Sequence, residues 1–466
     1  MLQYRPMNRD ELKTFIRRIL LISVPIMIQN GITNLVSMLD NIMIGAVGTD
    51  QMSAAAITNQ LIFVFNLTLF GGLSGIGIFT AQFAGKKDHK GIRDTFRLMC
   101  ILASLITIAA LTLFHFHGSS LISLYLHEDG SMSVTDTLNY AEQYLKIMCY
   151  GLPFFAATSA YSTLLRSDGE TKAPMRASIL AVLVNLIGNW ILIFGHFGLP
   201  TMGINGAAIA TVISRIAESA YLIRYTHKNH NRYPYIKEAF HSLSVPASLI
   251  KDCAVKGLPL LINETLWSAG QAALQQTYST KGLSVVAAMN ISTTISNVFA
   301  VSFIAMGTAI SILLGQALGK GETDTVRTEA NRLAVFTILF SAVCAIGLFA
   351  ISSLFPKIYS TTDEIRSLSA SITRIYAVCM PLYAYANAAY FTLRSGGKTW
   401  ITFLFDSCFA WVISIPVAKL IAGHTDLSIT HLYLAVQLLD ILKCTIGFIL
   451  VQKGAWIVNL TEGETK

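Results

Sequence analysis

Gln82-Phe83-Ala84-Gly85-Lys86 and Gln316-Ala317-Leu318-Gly319-Lys320 are two versions of one pentapeptide, 234 residues apart, and each closes a long apolar run. The same offset places Pro25 on Pro259, Gly48 on Gly282 and Arg93 on Arg327. An offset of 228 continues the match, with Pro153 on Pro381 and Leu165-Arg166-Ser167 on Leu393-Arg394-Ser395. Gly169 then meets Gly397, and Thr171 meets Thr399. The chain is therefore read as a duplication.

Composition says what was duplicated. Of 466 residues, 53% are hydrophobic and only 13% are charged, about half the charged share of soluble domains. Such a chain cannot cover a soluble core with a charged skin, and it excludes a disordered, collagen-like or disulfide-stapled protein. Twelve apolar segments stand out, at about 16–44, 52–82, 95–117, 138–165, 174–197, 203–225, 248–279, 284–318, 331–355, 367–393, 399–422 and 430–457. Their lengths suit membrane-crossing helices, which need about 20 residues, and not the roughly ten-residue alternating strands of a barrel. The expected fold is an all-α polytopic membrane protein with twelve transmembrane helices in two pseudo-symmetric six-helix lobes, 1–223 and 248–466, joined by a polar linker over 224–247. Six spans per half keep the same sense across the membrane, so the repeat is parallel, an arrangement that suits bundle-against-bundle rocking around a central cleft.

The formal charge of +8 sorts by loop. Arg5, Arg9, Lys13, Arg17 and Arg18 precede the first span, and Lys86, Lys87, Lys90, Arg93 and Arg97 follow the second. Further basic residues follow the fourth, sixth, eighth and tenth, whereas the alternate loops hold little beyond Lys281, Lys357 and Arg366. The positive-inside rule then puts both termini in the cytoplasm of a multi-pass protein of the cell (inner) membrane. The basic charge is read as orientation, with anionic membrane lipids as a secondary partner and no nucleic acid. The seven cysteines form no CxxC pair and are read as small packing residues, so neither a zinc site nor a disulfide framework is expected.

Ionisable side chains inside a span cost roughly 2.5–3.5 kcal/mol on insertion scales, so each is a candidate site. Asp40 lies in the first span, eight residues before Gly48. Asn185 and Asn189, four apart, share a face of the fifth span, and Thr211 lies eight residues into the sixth. Each is about 12 Å from the same outer end of its helix. A carboxylate, two amides and a hydroxyl at one level form a candidate cation or proton site. Oxygen ligands suit a hard cation such as sodium, and an apolar surrounding disfavours the charged carboxylate, so Asp40 can take up and release a proton. The structural alternatives are a snorkelling carboxylate and interhelical hydrogen bonding by the amides. In the second half, Glu264 falls opposite Asn30 in the repeat alignment, and Trp267 lies three residues further along the same helical face. Glu264, Trp267 and Asn30 are candidate substrate-binding residues, with a buried base or amide partner as the alternative for Glu264. Asp406 is a weaker candidate of the same kind. Asp440 is expected to pair with Lys443, and Arg215 with Glu218, both three apart. Arg374 and Lys419 lack an obvious partner in sequence.

No Walker loop, GxSxG, HExxH or DDxxD is present, and the chain has no room for a nucleotide domain, so a transporter is expected and not an enzyme. The chain resembles the multidrug and toxic compound extrusion (MATE) family along its whole length. The resemblance is carried by Pro25 with Asp40 and Gly45, the Gln82-to-Gly85 stretch and Leu165-Arg166-Ser167. Asn185-Leu186-Ile187-Gly188-Asn189 and Gly206-Ala207-Ala208-Ile209-Ala210-Thr211 complete it. It implies a V-shaped pair of lobes that exports small hydrophobic or cationic drugs in exchange for protons or sodium, with Asp40, Asn185, Asn189 and Thr211 as the ion site. No cofactor beyond sodium as a candidate coupling ion is implied, and a monomer is expected. The pattern departs from the best-known bacterial branch in the second lobe: Glu264 sits about a turn early, and the tenth span has no carboxylate. That departure points to work through the first lobe. The alternative is a lipid or lipid-linked oligosaccharide flippase, which calls for a strongly basic cavity, whereas most lysines and arginines here are in loops.

Overall fold

The computed structural model describes residues 7–125, 134–359 and 361–462, and those residues contain helices and no strand. The first half folds as α1 (Arg9–Gly45), α2 (Thr49–Lys86), α3 (His89–Ser123), α4 (Val134–Cys149), α5 (Leu152–Ser167), α6 (Lys172–Phe194) and α7 (Gly203–Lys228). The second folds as α8 (Ala247–Ser279), α9 (Leu283–Gly319), α10 (Thr323–Ile351), α11 (Asp363–Ser395), α12 (Thr399–Phe403), α13 (Ile415–His424) and α14 (Ile429–Lys453). Nine helices among the described residues are long and apolar enough to cross a membrane. The other three expected spans are also helical: the α4–α5 pair, α8 and α11. On α10 the large apolar residues Val335, Leu339, Val343 and Ile346 are exposed along one stripe, up to 72% at Ile346. Such a stripe is a lipid-facing surface and not a soluble one.

Two expected spans are interrupted. The fourth breaks at Tyr150–Gly151 into two helices of 16 residues each. Its counterpart α11 runs unbroken through Pro381, because the position matching Gly151 there is Cys379, which favours continued helix. The eleventh span passes from α12 through two wide π turns, Leu404–Cys408 and Ala410–Ser414, into α13. Pro416 has no amide hydrogen to close the normal ladder, which favours the widening ahead of it. Asn263 Oδ1 fills part of the gap, accepting from the Ser407 backbone N–H at 3.3 Å and from Ser407 Oγ at 2.7 Å.

The contacts gather the described residues into two compact bodies. One comprises Ile28–Thr80 and Asp88–Cys253; the other comprises Met1–Met27, Ala81–Lys87 and Ala254–Lys466. The boundary therefore differs from the expected one at 223/248. A 37-residue α1 is about 55 Å long, well beyond a 30 Å hydrocarbon core, and its first turns belong to the second body, as does the end of α2.

In that second body the two pentapeptides meet. A Cβ added to Gly85 would sit 2.0 Å from the Gln316 carbonyl oxygen, and one added to Gly319 would sit 1.8 Å from that of Gln82. Each glycine lies against the other motif's glutamine, so the repeat that opened the sequence is a reciprocal backbone crossing that only glycine permits. Ala309, Leu313, Ala317, Leu393 and Trp456 form the fully buried core around it.

The polar linker is a packed element of the first body. Tyr233, Tyr235, Ile236 and Ala239 are buried. Arg97 donates to the carbonyls of Ala239 and Glu238, each at 2.7 Å, and of Ser244 at 3.3 Å. Glu170 takes Arg232 at 3.1 Å, and the Tyr235 hydroxyl donates to Asp168 at 3.0 Å. Arg97→Ala leaves three carbonyls without their charged donor, a loss of about 3 kcal/mol or more at 1.5–3 kcal/mol per charged hydrogen bond. It is expected to open this segment to trypsin at Arg232 and Lys237. Cleavage no faster than in the wild type would show that Arg97 does not hold it.

Candidate functional site

The first body brings Asp40, Asn189, Asn185 and Thr211 into one hydrogen-bonded chain. α6 and α7 pack closely because both present small residues: a Cβ on Gly188 would lie 2.9 Å from Ala210 Cβ, and one on Gly206 would lie 2.6 Å from the Leu192 carbonyl. That approach presses the amide face of α6 onto α7. Asn189 Nδ2 donates to Asp40 Oδ1 at 2.6 Å and to Asn185 Oδ1 at 3.4 Å, and Asn185 Nδ2 donates to Thr211 Oγ1 at 3.1 Å. Both amides are buried, and Asn189 Oδ1 receives no hydrogen bond among the described residues. A buried amide oxygen left unpaired beside a carboxylate has the chemistry to accept a proton-bearing group or to ligate a cation.

Asn30 lies ten residues before Asp40, about 15 Å along α1, and stands outside this chain. In the second body, Glu264 accepts a hydrogen bond from the Tyr390 hydroxyl at 3.4 Å and has Arg394 Nη1 at 4.0 Å. Glu264 thus has the buried base neighbour that was its structural alternative. Trp267, on the same helix, is 42% exposed. Lys443 makes its close ion pair with Asp406 rather than with Asp440, Nζ to Oδ1 at 2.7 Å from the π-turn segment, while Asp440 keeps an electrostatic interaction with the lysine. Arg374 bonds Ser352 Oγ at 3.3 Å and also Ser353 Oγ. Arg215 and Glu218 pair as expected, at 3.1 Å.

Sequence reasoning passed over Ser178 and Gln29 in the first body and gave Arg166 no place beside them. Ser178 Oγ donates to Glu218 Oε1 at 2.7 Å, Gln29 Nε2 donates to Ser178 Oγ at 2.7 Å, and Arg166 donates to Gln29 Oε1. The repeat carried the signal. Gln29 aligns with Asn263, Ser178 with Asp406 and Arg166 with Arg394, each a polar residue at a matching depth. In the second body Asn263 Nδ2 bonds Asp406 Oδ2 at 3.2 Å.

Comparison with known proteins agrees with the duplication. The MatE family model matches twice, over residues 25–191 and 259–420, starting at Pro25 and again at its repeat partner Pro259. "Probable multidrug resistance protein YoeA" of Bacillus subtilis is 25% identical over 425 residues, covering 89% of this chain and 88% of that one. "Probable multidrug resistance protein NorM" of Thermotoga maritima is 22% identical over 449 residues, covering 96% and 94%. A solved structure described as the "Outward-facing conformation of a multidrug resistance MATE family transporter of the MOP superfamily" superposes with a TM-score of 0.83 at 18% identity, over 94% of this chain and 96% of that chain. With the family model matching most of the chain in two copies, the protein belongs to the MatE family, the multidrug and toxic compound extrusion transporters.

Proposed function

We propose that the protein is a secondary antiporter that exports organic cations and related drugs in exchange for protons or sodium by alternating access. The observation that carries this is the Asp40–Asn189–Asn185–Thr211 chain, a membrane-depth carboxylate whose amide neighbour keeps a buried oxygen unpaired. The names of the curated relatives, which describe multidrug resistance, support drug as the cargo. Among the described residues no three acidic, histidine or cysteine side chains converge on a metal site. A single carboxylate with amide and hydroxyl oxygens suits a proton or a monovalent cation in transit. Coupling requires that ion and drug each favour a different arrangement of the protein, since a ligand shifts an equilibrium only by its differential affinity. The asymmetry of lysine and arginine among the loops supports an inner-membrane protein with both termini in the cytoplasm.

The test is transport by purified protein in liposomes loaded with ethidium, under a proton gradient and, separately, a sodium gradient. Ethidium movement that follows either gradient supports antiport. A protein that moves no dye under either gradient but scrambles a fluorescent lipid would instead be the flippase.

A further inference from the structure

We propose that Glu218 is a second proton-carrying group of the first body, and that Arg215 swings between Glu218 and Asp40 as the proton moves. This rests on the antiport reading and deepens it by naming the proton as the coupled ion.

Glu218 is 4% exposed on α7, and both its oxygens are held by donors: Ser178 Oγ at 2.7 Å on Oε1 and Arg215 Nη1 at 3.1 Å on Oε2. Behind Ser178 stand Gln29 on α1 and Arg166 on α5, which join the carboxylate to the end of the body where α5 closes. The charged groups of this string are thus Arg215 on its own helix and Arg166 through Gln29. The Arg215 side chain is 33% exposed, its guanidinium lies 4.8 Å from the centre of the Phe155 ring, and it lines a cavity with Asn66, Met148, Phe155 and Thr211. Thr211 is also the last member of the Asp40 chain. It precedes Arg215 by four residues, about 6 Å of helix, so one cavity wall carries both the end of the Asp40 chain and the cation paired with Glu218.

The step balances. The O–H bond of protonated Asp40 breaks and its electron pair stays on Asp40; the proton passes along the wall that Thr211 and Arg215 share and forms an O–H bond on Glu218. Glu218 gives up its negative charge, so Arg215 leaves it and follows the charge to Asp40. Among the described residues, the two hydrogen-bonded strings carry two carboxylates, Asp40 and Glu218, and two guanidinium groups, Arg166 and Arg215. One added proton therefore leaves one positive charge in excess, which opposes a cationic drug in the same body. Proton and drug become mutually exclusive, as antiport requires.

The second body carries the same string with its charges exchanged. Asn263 stands for Gln29, Asp406 for Ser178, and the string ends on Lys443 of α14, an ammonium 2.7 Å from Asp406, where the first body ends on Glu218.

The experiment uses full-length protein in liposomes with ethidium. Two readings are taken: dye-for-dye exchange at equal pH on both sides, and efflux driven by an imposed proton gradient across a pH series. Glu218→Gln fixes that excess positive charge in place and is expected to lower both dye exchange and driven efflux by about tenfold or more, the scale of removing a proton-transfer group. Ser178→Ala, which keeps the acid but removes one of its two donors, is expected to retain driven efflux with a pH profile displaced from that of the wild type. Driven efflux by Glu218→Gln at the wild-type rate overturns the relay, as does an unmoved pH profile in Ser178→Ala. Wild-type transport driven by sodium alone overturns the relay and leaves antiport standing. Transport driven by neither gradient overturns both.

Discussion

Replacing Asp40 by asparagine is expected to leave a folded protein that no longer couples dye efflux to an ion gradient. The substitution keeps the size of the side chain and an oxygen that can accept the 2.6 Å hydrogen bond from Asn189, so the local packing survives. It removes the only carboxylate of the chain that ends at Thr211, and with it any change of charge on ion uptake. A ligand that binds two states equally shifts nothing, while a nearly complete shift needs about 5.5 kcal/mol of differential binding. Driven efflux should therefore fall by roughly a hundredfold or more, to the leak of empty vesicles, since the energy that biased the states is gone. Thermal unfolding in detergent should be unchanged or improved, because a half-buried charge among apolar helices is a cost to folding. Wild-type efflux by Asp40→Asn would remove this residue from the ion step altogether.

The second large effect is on folding. Gly85→Ala and Gly319→Ala each place a methyl group 2.0 Å or less from a backbone carbonyl oxygen of the facing motif. Side-chain rearrangement cannot relieve that contact, because the obstacle is main chain. The helices must part by more than 1 Å. Parting them strains the bonds that Gln82 makes beside the crossing, from its amide to the carbonyls of Ser395 at 3.0 Å and Val458 at 3.2 Å, and from the Leu460 N–H to its oxygen at 2.6 Å. Overpacking commonly costs 1–3 kcal/mol, and with these bonds disturbed a loss of about 3 kcal/mol or more is expected for either variant. Gly31→Ala is the control. It is helical with nothing within 4 Å of the added atom, and should be neutral or stabilising by up to about 1 kcal/mol. Melting curves of the three variants give the answer. Crossing variants that melt with Gly31→Ala would show that the two motifs do not touch in the folded protein.

Much of the architecture was legible in the residues. Each of the twelve expected spans is helical in the structure, because hydrophobic length is a local property that a single stretch of chain carries by itself. The depth argument that singled out Asp40, Asn185, Asn189 and Thr211 used only the rise per residue and the helix ends, and those four side chains form one hydrogen-bonded chain. The choice of ionic partners was less legible. Spacing alone allowed Asp440 for Lys443, yet the lysine makes its close ion pair with Asp406, 37 residues away on the π-turn segment. Ser178 and Gln29 were passed over because a neutral polar residue on an apolar helix gives no signal until its partner, 40 or 149 residues away, is known.

The sequence by itself determined a membrane-embedded, duplicated, helical chain with one carboxylate at the depth of two amides and a hydroxyl, since length, hydropathy and periodicity act within a helix. Only the tertiary structure decided that the two repeat motifs cross glycine on carbonyl, that the polar stretch between the halves is packed, and that Glu218 is linked through Ser178 and Gln29 to Arg166. Those outcomes depend on which helix faces which, and that is set by the close packing of surfaces far apart in the chain.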